Sequence, residues 1–426
     1  MRNVSRCCRF TTMTDLPKPA QRISSFGGSV FTEFTTLAKK LNAINLGQGF
    51  PDWNVPKFVQ ESAHEAIKSG PSSNQYTSHM GFPMLKETLS KFYGKLMNRA
   101  IDPQTEIIPT NGATQALFSS IQAHVNPGDE VICIEPFYDA YPADVIMAGG
   151  IPVYVPLKAP KNSTSSHEWT LDMKEFEASI SSKTKAVFLN NPHNPTGKMF
   201  SREELQQISE IVLRHPNMIV ISDEVYEFIT FDDCEHIRIA TLPGMWDRTL
   251  TISSSGKTFS CTGWKIGWAI GPTHLINPLY LVQQWIPFCT TTPFQHAISL
   301  SFEKAQENNY FAELKSSYQR KRDIICDAMK KVGIEPVVPS SGFFALGHIK
   351  NLLNTFEVPD GESTDYEFSR YLTREFGVTT IPPSAFYCDD HRHLAEHYTR
   401  FAFCKSDPLL HEACLRLENL RKSSSH

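Results

Sequence analysis

Short hydrophobic runs alternate with amphipathic stretches between about residues 105 and 270. Five runs rich in β-branched residues read EVICI, IPVYV, KAVFL, MIVIS and LTISS. Neighbouring stretches such as ATQALFSSIQAHV and SREELQQISEIVLRHP have the apolar periodicity of helices. Strands that are apolar on both faces and are separated by helices predict a parallel sheet covered on both sides. The pattern therefore predicts an α/β domain.

The rest of the chain predicts a second, smaller α+β unit. Helical and short strand-like patterns fill residues 300–345 and 365–420, and the Gly/Pro-rich segment LGQGFPDWNVP joins the N-terminal arm to the predicted sheet. We predict four parts: an N-terminal tail at 1–18, an arm at 19–50 that joins the small domain, a large domain at 51–300 and a small C-terminal domain at 301–426.

Polar residues follow three of the predicted strands. NNPHNPTG comes after KAVFL, DEVY comes after MIVIS, and SGK comes after LTISS. Ligands of open α/β sheets bind beside the carboxyl ends of the strands. We therefore expect these side chains to converge on one crevice.

Two charged residues in these segments are candidates for chemistry. Lys257 lies in SSSGKTFSCTGWKIGW, which has no carboxylate. A desolvated amine forms a Schiff base with a carbonyl, whereas a lone lysine is more often a solvated surface residue. Asp223 would end a buried strand, where a carboxylate needs a cation or a hydrogen-bond donor. The alternative for Asp223 is the N-cap of a helix beginning at EVYEFI.

Small polar residues near Lys257 predict an anion site. Ser254, Ser255 and Gly256, together with Lys265 and the NGAT segment at 111–114, suit a phosphate. Tyr226, three residues after Asp223, offers a phenol, and Asn194 offers an amide in a proline-flanked loop. A phosphate site, an acceptor for a ring N–H, a phenol and a free lysine are what pyridoxal 5′-phosphate requires.

With these residues in this order, the chain resembles the class I/II pyridoxal-phosphate aminotransferases of fold type I. Within them it is most similar to the group of kynurenine aminotransferases, glutamine transaminases and cysteine-conjugate β-lyases. The resemblance runs from about residue 20 to 418, on NLGQGFPD, NQYTSHMGFP, IEPFYDAYP, NNPHNPTGK, SDEVY, SSSGKTFSCTGWKIGW and TRFAFCK. It implies a large domain with a mostly parallel seven-stranded sheet, and a smaller α+β domain.

The resemblance implies catalytic roles for three residues. Lys257 matches the lysine that binds the cofactor covalently and moves a proton between Cα and C4′. Asp223 matches the carboxylate that keeps the pyridine nitrogen protonated. Tyr226 and Asn194 match two donors to the phenolic oxygen of the ring, and Tyr138 matches the aromatic residue stacked on it.

The other cofactor contacts that the resemblance implies gather mainly at the phosphate. Tyr76 would reach the phosphate of the neighbouring subunit, which implies a homodimer with shared sites. Phe137, beside Tyr138, is the alternative for the stacking residue. The remaining cofactor-binding residues are Ala113, Thr114, Asn190, Ser254 and Lys265, the last standing where many class I enzymes have arginine.

The resemblance also implies a substrate site. Arg400 matches the arginine that binds the substrate α-carboxylate in a bidentate pair; taken alone, it also fits a structural ion pair. Gly49 would hold the same carboxylate through its backbone, and Asn194 belongs to the same set. Phe31 and Phe288 suit an aromatic side chain, although relatives often place tryptophan where Phe31 stands.

The implied reaction is transamination between an aromatic or large neutral L-amino acid, L-kynurenine foremost, and a 2-oxo acid. One alternative is β-elimination from cysteine S-conjugates at the same site, decided by a leaving group on Cβ. The other is a catalytically silent cofactor-binding module, against which the presence of Lys257, Asp223 and Arg400 argues.

Composition, charge and motifs argue against several other classes of binding partner. The chain is 41% hydrophobic and 20% charged with a net charge of −4, which indicates no nucleic acid partner and no membrane. Ten cysteines without a CxxC pair give no zinc framework, and DDHRHLAEH at 389–397 fits a solvated loop better than a metal site. LGQGF lacks the third glycine of a dinucleotide fingerprint.

The N-terminal segment MRNVSRCCRFTT is rich in arginine and has no acid. This pattern fits a mitochondrial presequence or a basic tail. Met13 offers a second start, so we expect a mitochondrial form, a cytoplasmic form, or both.

Overall fold

A computed structural model describes residues 17–24 and 26–423, and the predicted N-terminal presequence lies almost wholly outside them. The strands are β1 (Ile44–Asn45), β2 (Ile107–Thr110), β3 (Glu130–Glu135), β4 (Ile151–Lys158), β5 (Thr170–Leu171), β6 (Thr184–Asn190), β7 (Ile219–Asp223), β8 (Thr249–Ser254), β9 (Gly267–Ile270), β10 (Glu335–Val337), β11 (Phe344–His348), β12 (Val378–Thr379) and β13 (Tyr398–Ala402).

The helices connect these strands and cover the sheet. They are α1 (Val30–Leu41), α2 (Lys57–Lys68), α3 (Pro83–Leu96), α4 (Gly112–His124), α5 (Ala140–Met147), α6 (Met173–Ala178), α7 (Arg202–Arg214), α8 (Ser255–Thr258), α9 (Thr273–Gln283), α10 (Thr292–Glu307), α11 (Tyr310–Lys331), α12 (Thr364–Phe376) and α13 (Asp407–Ser423).

The large sheet has the strand order β2-β9-β8-β7-β6-β3-β4-β5. The five strands predicted from the hydrophobic runs, β3, β4, β6, β7 and β8, are neighbours and pair in parallel. Strand β9 is antiparallel to both β8 and β2. The expected mostly parallel sheet is confirmed, with one difference: the two-residue strand β5 adds an eighth, antiparallel member at the edge.

Both faces of this sheet are buried, which explains why its strands are nearly continuous hydrophobic runs. Val187 and Val220 pack into the core on one face. Phe188 and Ile221, the next residues in each strand, pack into the core on the other face. The alternation follows from the two-residue period of a strand, and it leaves the strand ends as the place for polar residues.

A second, antiparallel sheet of β10, β11 and β13 lies in the C-terminal part of the chain. Its core is continuous with residues of α11 and α13, including Ile325 and Leu410. Strand β1 pairs in parallel with β12, through Ile44 opposite Val378. Strand β1 of the N-terminal segment therefore contacts the C-terminal part of the chain, and the predicted division into four parts stays a prediction.

No helix in the described part of the chain is both long enough and apolar enough to cross a membrane.

Candidate active site

One cleft of about 800 Å³ opens beside the carboxyl ends of β6, β7 and β8. It is the crevice that the polar residues after these strands predict. Ten of the predicted site residues line it: Ala113, Thr114, Tyr138, Asn190, Asn194, Asp223, Tyr226, Ser254, Lys257 and Lys265.

Lys257 lies in the short helix α8, directly after β8. Its Nζ donates a hydrogen bond to the carbonyl oxygen of Gly49 at 2.9 Å. Burial lowers the pKa of Lys257 to about 8, because the attraction of Asp223 and the neighbouring Cys404 does not offset the loss of water and the repulsion of Arg400. About one-tenth of the amine is therefore uncharged at pH 7, far more than for a solvated surface lysine.

Asp223 is the last residue of β7 and is buried. Burial raises its pKa to about 6, although hydrogen bonds from the Tyr141 hydroxyl and the Val225 N–H act in the opposite direction. The Oδ2 atom accepts from the Tyr141 hydroxyl at 2.7 Å, and Oδ1 accepts from the Val225 N–H at 3.4 Å. Residues 225–228 form a turn and not a helix, so Asp223 is not a helix N-cap.

Tyr141 is a site residue that the sequence analysis missed. It lies in α5, is fully buried, and stacks on Phe188 with ring centroids 4.3 Å apart. Burial raises the pKa of its phenol well above the usual value, so the hydroxyl keeps its proton and remains a donor to Asp223. The sequence signal was indirect: a buried carboxylate needs a donor, but its position 82 residues away in the chain was not evident.

The N-terminus of α4 forms the positively polarised end of the cleft. Asn111, the N-cap, makes no side-chain capping hydrogen bond, so backbone N–H groups of the first turn are available. Lys265 lies over this turn: a Cβ built on Gly112 would be 3.2 Å from its Nζ. Gly267 allows strand β9 to approach this turn closely, since a Cβ built on Gly267 would lie 2.5 Å from the Gly112 carbonyl carbon. A helix N-terminus and a lysine amine together suit an anion such as phosphate.

Arg400 lies in β13 and is 1% exposed. Its Nη1 donates to Asn194 Oδ1 at 3.1 Å and its Nη2 donates to the Gly47 carbonyl at 2.7 Å. Its buried Nε has no hydrogen-bond partner among the residues that the structure describes. Burial lowers the pKa of Arg400 to about 10, which still leaves the guanidinium charged at neutral pH.

No carboxylate among the described residues forms a salt bridge with Arg400. The structural ion pair considered for it is therefore absent from this part of the chain. A buried guanidinium without a carboxylate is costly unless it receives an anion from outside. Three aromatic rings surround it: the centroids of Phe31, Phe344 and Phe386 lie 5.3, 4.2 and 4.9 Å from its Cζ.

The segment from Gly47 to Gly49 joins the two cationic residues. Its carbonyls accept from Arg400 at Gly47 and from Lys257 at Gly49. Asn45 Oδ1 fixes the segment by accepting from the Gly47 N–H at 2.9 Å. A Cβ at Gly49 would come within 2.6 Å of the Phe344 ring, so glycine is required for this packing.

The structure distinguishes the two candidates for the stacking residue. Tyr138 lines the cleft, and burial raises the pKa of its phenol to about 12. Phe137 is buried in the core and packs on Tyr154 with ring centroids 5.6 Å apart. Tyr138 is therefore the one of the two that can face a ligand.

Tyr76 and Phe288 do not line the cleft of the chain that contains them. Tyr76 is 83% exposed, and its ring packs edge-on against Phe288 with centroids 5.0 Å apart. The Phe288 ring also contacts His79, at 4.5 Å. Their predicted site roles therefore depend on a second subunit and stay predictions.

Comparison with known proteins places this geometry in a family. The model for aminotransferase class I and II matches residues 42–417. A kynurenine--oxoglutarate transaminase of Dictyostelium discoideum is 46% identical over 96% of this chain and 98% of that protein. Kynurenine--oxoglutarate transaminase 3 of Rattus norvegicus is 42% identical over 95% of this chain and 91% of that protein. The crystal structure of Bna3p from Saccharomyces cerevisiae superposes with a TM-score of 0.91 at 35% identity, covering 96% of this chain and all of that one.

The family match spans both sheets and every residue that lines the cleft. This chain belongs to the class I and II aminotransferases.

Proposed function

We propose that this aminotransferase uses pyridoxal 5′-phosphate and moves the amino group of a large aromatic L-amino acid, L-kynurenine foremost, to a 2-oxo acid such as 2-oxoglutarate. The observation that carries the proposal is that Arg400, buried and without a salt bridge among the described residues, lies near the Lys257 amine, whose pKa burial lowers to about 8. Every α-amino acid carries an α-carboxylate and an α-amino group on the same carbon, Cα. The names of the relatives and the aromatic rings around Arg400 support an aromatic substrate.

The residues of the cleft fit the cofactor. When bound, pyridoxal phosphate supplies an electron-accepting ring that makes the Cα–H of an amino acid acidic. The first turn of α4, Ser254 and Lys265 would hold its phosphate. Asp223 would accept the N–H of the ring nitrogen, and Tyr226, whose phenol keeps its proton because burial raises its pKa well above the usual value, would donate to the ring oxygen.

Asn194 would serve both the cofactor and the substrate. Its Oδ1 already accepts from Arg400, which leaves its Nδ2 free to donate to the ring oxygen. Its backbone N–H donates to Asn190 Oδ1 at 2.7 Å, which fixes the loop after β6. Asn190 thus acts by positioning Asn194, and one amide side chain sets the distance between the two binding sites.

Lys257 would move the proton at Cα. A general base works best when its pKa lies near the working pH, and burial brings the pKa of this amine to about 8. Arg400 would hold the α-carboxylate through two N–H donors, which orients Cα toward the Lys257 amine. The aromatic residues Phe31, Phe344 and Phe386 would exclude water from the same region.

We further propose a homodimer that buries an exposed apolar patch, defined as Tyr76, Leu281, Trp285, Ile286 and Phe288. Tyr76 and Trp285 are each 83% exposed. Clustered exposed aromatic residues are typical of protein interfaces. A second copy on this patch would also give Tyr76 access to a phosphate in the neighbouring cleft, as the family resemblance implies.

The activity is tested with L-kynurenine and 2-oxoglutarate, with glutamate and kynurenate measured by mass spectrometry. We expect both products from the wild-type chain. Arg400→Gln should raise the KM for L-kynurenine at least about thirtyfold, because a buried charged pair contributes about 2 kcal/mol or more. Arg214→Gln, which removes a surface pair with Glu177, is the control and should leave KM unchanged.

Equal KM values for both variants would remove Arg400 from the substrate site. Pyruvate from a cysteine S-conjugate, without glutamate formation from any amino acid, would favour β-elimination instead.

The pH dependence of kcat/KM tests the hydrogen bond from the Tyr141 hydroxyl to Asp223. The Tyr141 hydroxyl stabilises the carboxylate form of Asp223, so Tyr141→Phe should raise the pKa of Asp223 above its value of about 6. If the ionised form is required, the acid limb of kcat/KM moves to higher pH by about one unit. Tyr371→Phe, which alters a tyrosine stacked on Phe356, should leave that limb in place. An unmoved limb in Tyr141→Phe would contradict the assignment.

Sedimentation equilibrium tests the dimer. The wild-type chain should sediment with twice the mass of one chain, whereas Trp285→Glu should be monomeric because it places a charge in the patch. Leu415→Glu, at another exposed apolar position, is the control and should remain dimeric. A dimer that survives Trp285→Glu unchanged would show that the patch is not the interface.

A further inference from the structure

Outside the cleft, the end of β3 carries a buried carboxylate, Glu135. Its Oε1 accepts from the Cys388 N–H at 2.5 Å, and its Oε2 lies 2.5 Å from His391 Nδ1. The Cys388 Sγ lies 3.4 Å from the same Nδ1. The carboxylate, thiol and imidazole atoms all lie within 4.8 Å of one another, and none of these residues lines the cleft.

These three ligand types are those that zinc prefers. Bonds of about 2.0–2.3 Å in a tetrahedral site place neighbouring ligand atoms roughly 3.3–3.7 Å apart. The thiol and the imidazole already have this separation. The imidazole and the carboxylate would have to move apart by roughly 0.8 Å as the ion replaces the proton between them.

The surroundings permit that movement and the entry of an ion. His391 belongs to the short 3-10 turn Asp389–Leu394, and its side chain is 30% exposed. Asp389, next to Cys388 in the chain, is 86% exposed and forms a salt bridge with Arg392 at 2.8 Å. Glu135 is fully buried at the end of a strand and provides a fixed ligand. Three protein ligands and an open position are a common arrangement for bound zinc.

We propose that Glu135, Cys388 and His391 form a binding site for a thiophilic divalent cation, zinc foremost. The site does not depend on the proposed aminotransferase substrate. It would link β3 to the segment at 383–394, which is already joined by the hydrogen bond from the Phe137 N–H to the Phe386 carbonyl at 2.9 Å. Sequence spacing did not indicate it, because Glu135 and Cys388 are 253 residues apart.

Equilibrium dialysis of the holoenzyme against zinc tests the proposal. Cys7 and Cys8 also carry thiols, so both are changed to serine in the parent chain. We expect one zinc per chain in the parent and in the control Cys414→Ser. Cys388→Ser should bind it at least tenfold more weakly, since it loses the thiolate ligand. A parent that binds no zinc, or a Cys388→Ser variant that binds it equally well, would overturn the proposal.

Alkylation by iodoacetamide tests the same site without altering Cys388. Zinc should slow the modification of Cys388, measured by peptide mass spectrometry, and leave that of Cys414 unchanged. Equal rates at Cys388 with and without zinc would contradict the proposal even if the serine variant did not fold.

Discussion

The active site depends on the desolvation of two cationic side chains, Arg400 and Lys257, neither of which forms a salt bridge within the part of the chain that the structure describes. Arg400 is held by a carbonyl and an amide oxygen, and Lys257 is held by a second carbonyl, so the hydrogen bonds of both side chains go to uncharged groups. Burying charge in this way destabilises the empty protein. A phosphate-bearing cofactor and an amino acid would offset that cost by bringing anionic groups into the cleft. The burial of these two cations would therefore favour the binding of both.

Asp223 complements these cations without pairing with them directly. Burial favours its neutral form, and the hydroxyl of Tyr141 favours its ionised form. The balance leaves the carboxyl group ionised near neutral pH and available to the ring nitrogen of a cofactor. Phe188 stacks on Tyr141, so a residue of the hydrophobic core helps to fix the hydroxyl that donates to Asp223.

The sequence predicts much of this arrangement because parallel strands bring their carboxyl ends to one edge. Asn194, Asp223 and Lys257 each follow a strand that the hydrophobic pattern identifies, and the structure brings all three into one cleft. Other features have no local signal. Tyr141 contacts Asp223 only after α5 packs on the sheet, and the carbonyls of Gly47 and Gly49 reach Arg400 and Lys257 from a distant arm. The hydrophobic pattern also did not predict the antiparallel strand β9, since its four residues follow the segment that contains Lys257 without a separate hydrophobic run. Roles that need a partner subunit cannot be read from one chain.

The proposed function requires that the Lys257 amine hold pyridoxal phosphate and be displaced from it by the amino group of the substrate. The most direct measurement is the visible absorption spectrum of the holoenzyme before and after L-kynurenine is added without a 2-oxo acid. We expect a visible cofactor band that disappears when L-kynurenine is added to the wild-type chain and to Lys304→Ala, a surface control. In Lys257→Ala, the band should not respond at a comparable rate. A Lys257→Ala variant that responds like the wild type, or a wild-type chain that acquires no band with added pyridoxal phosphate, would contradict the account.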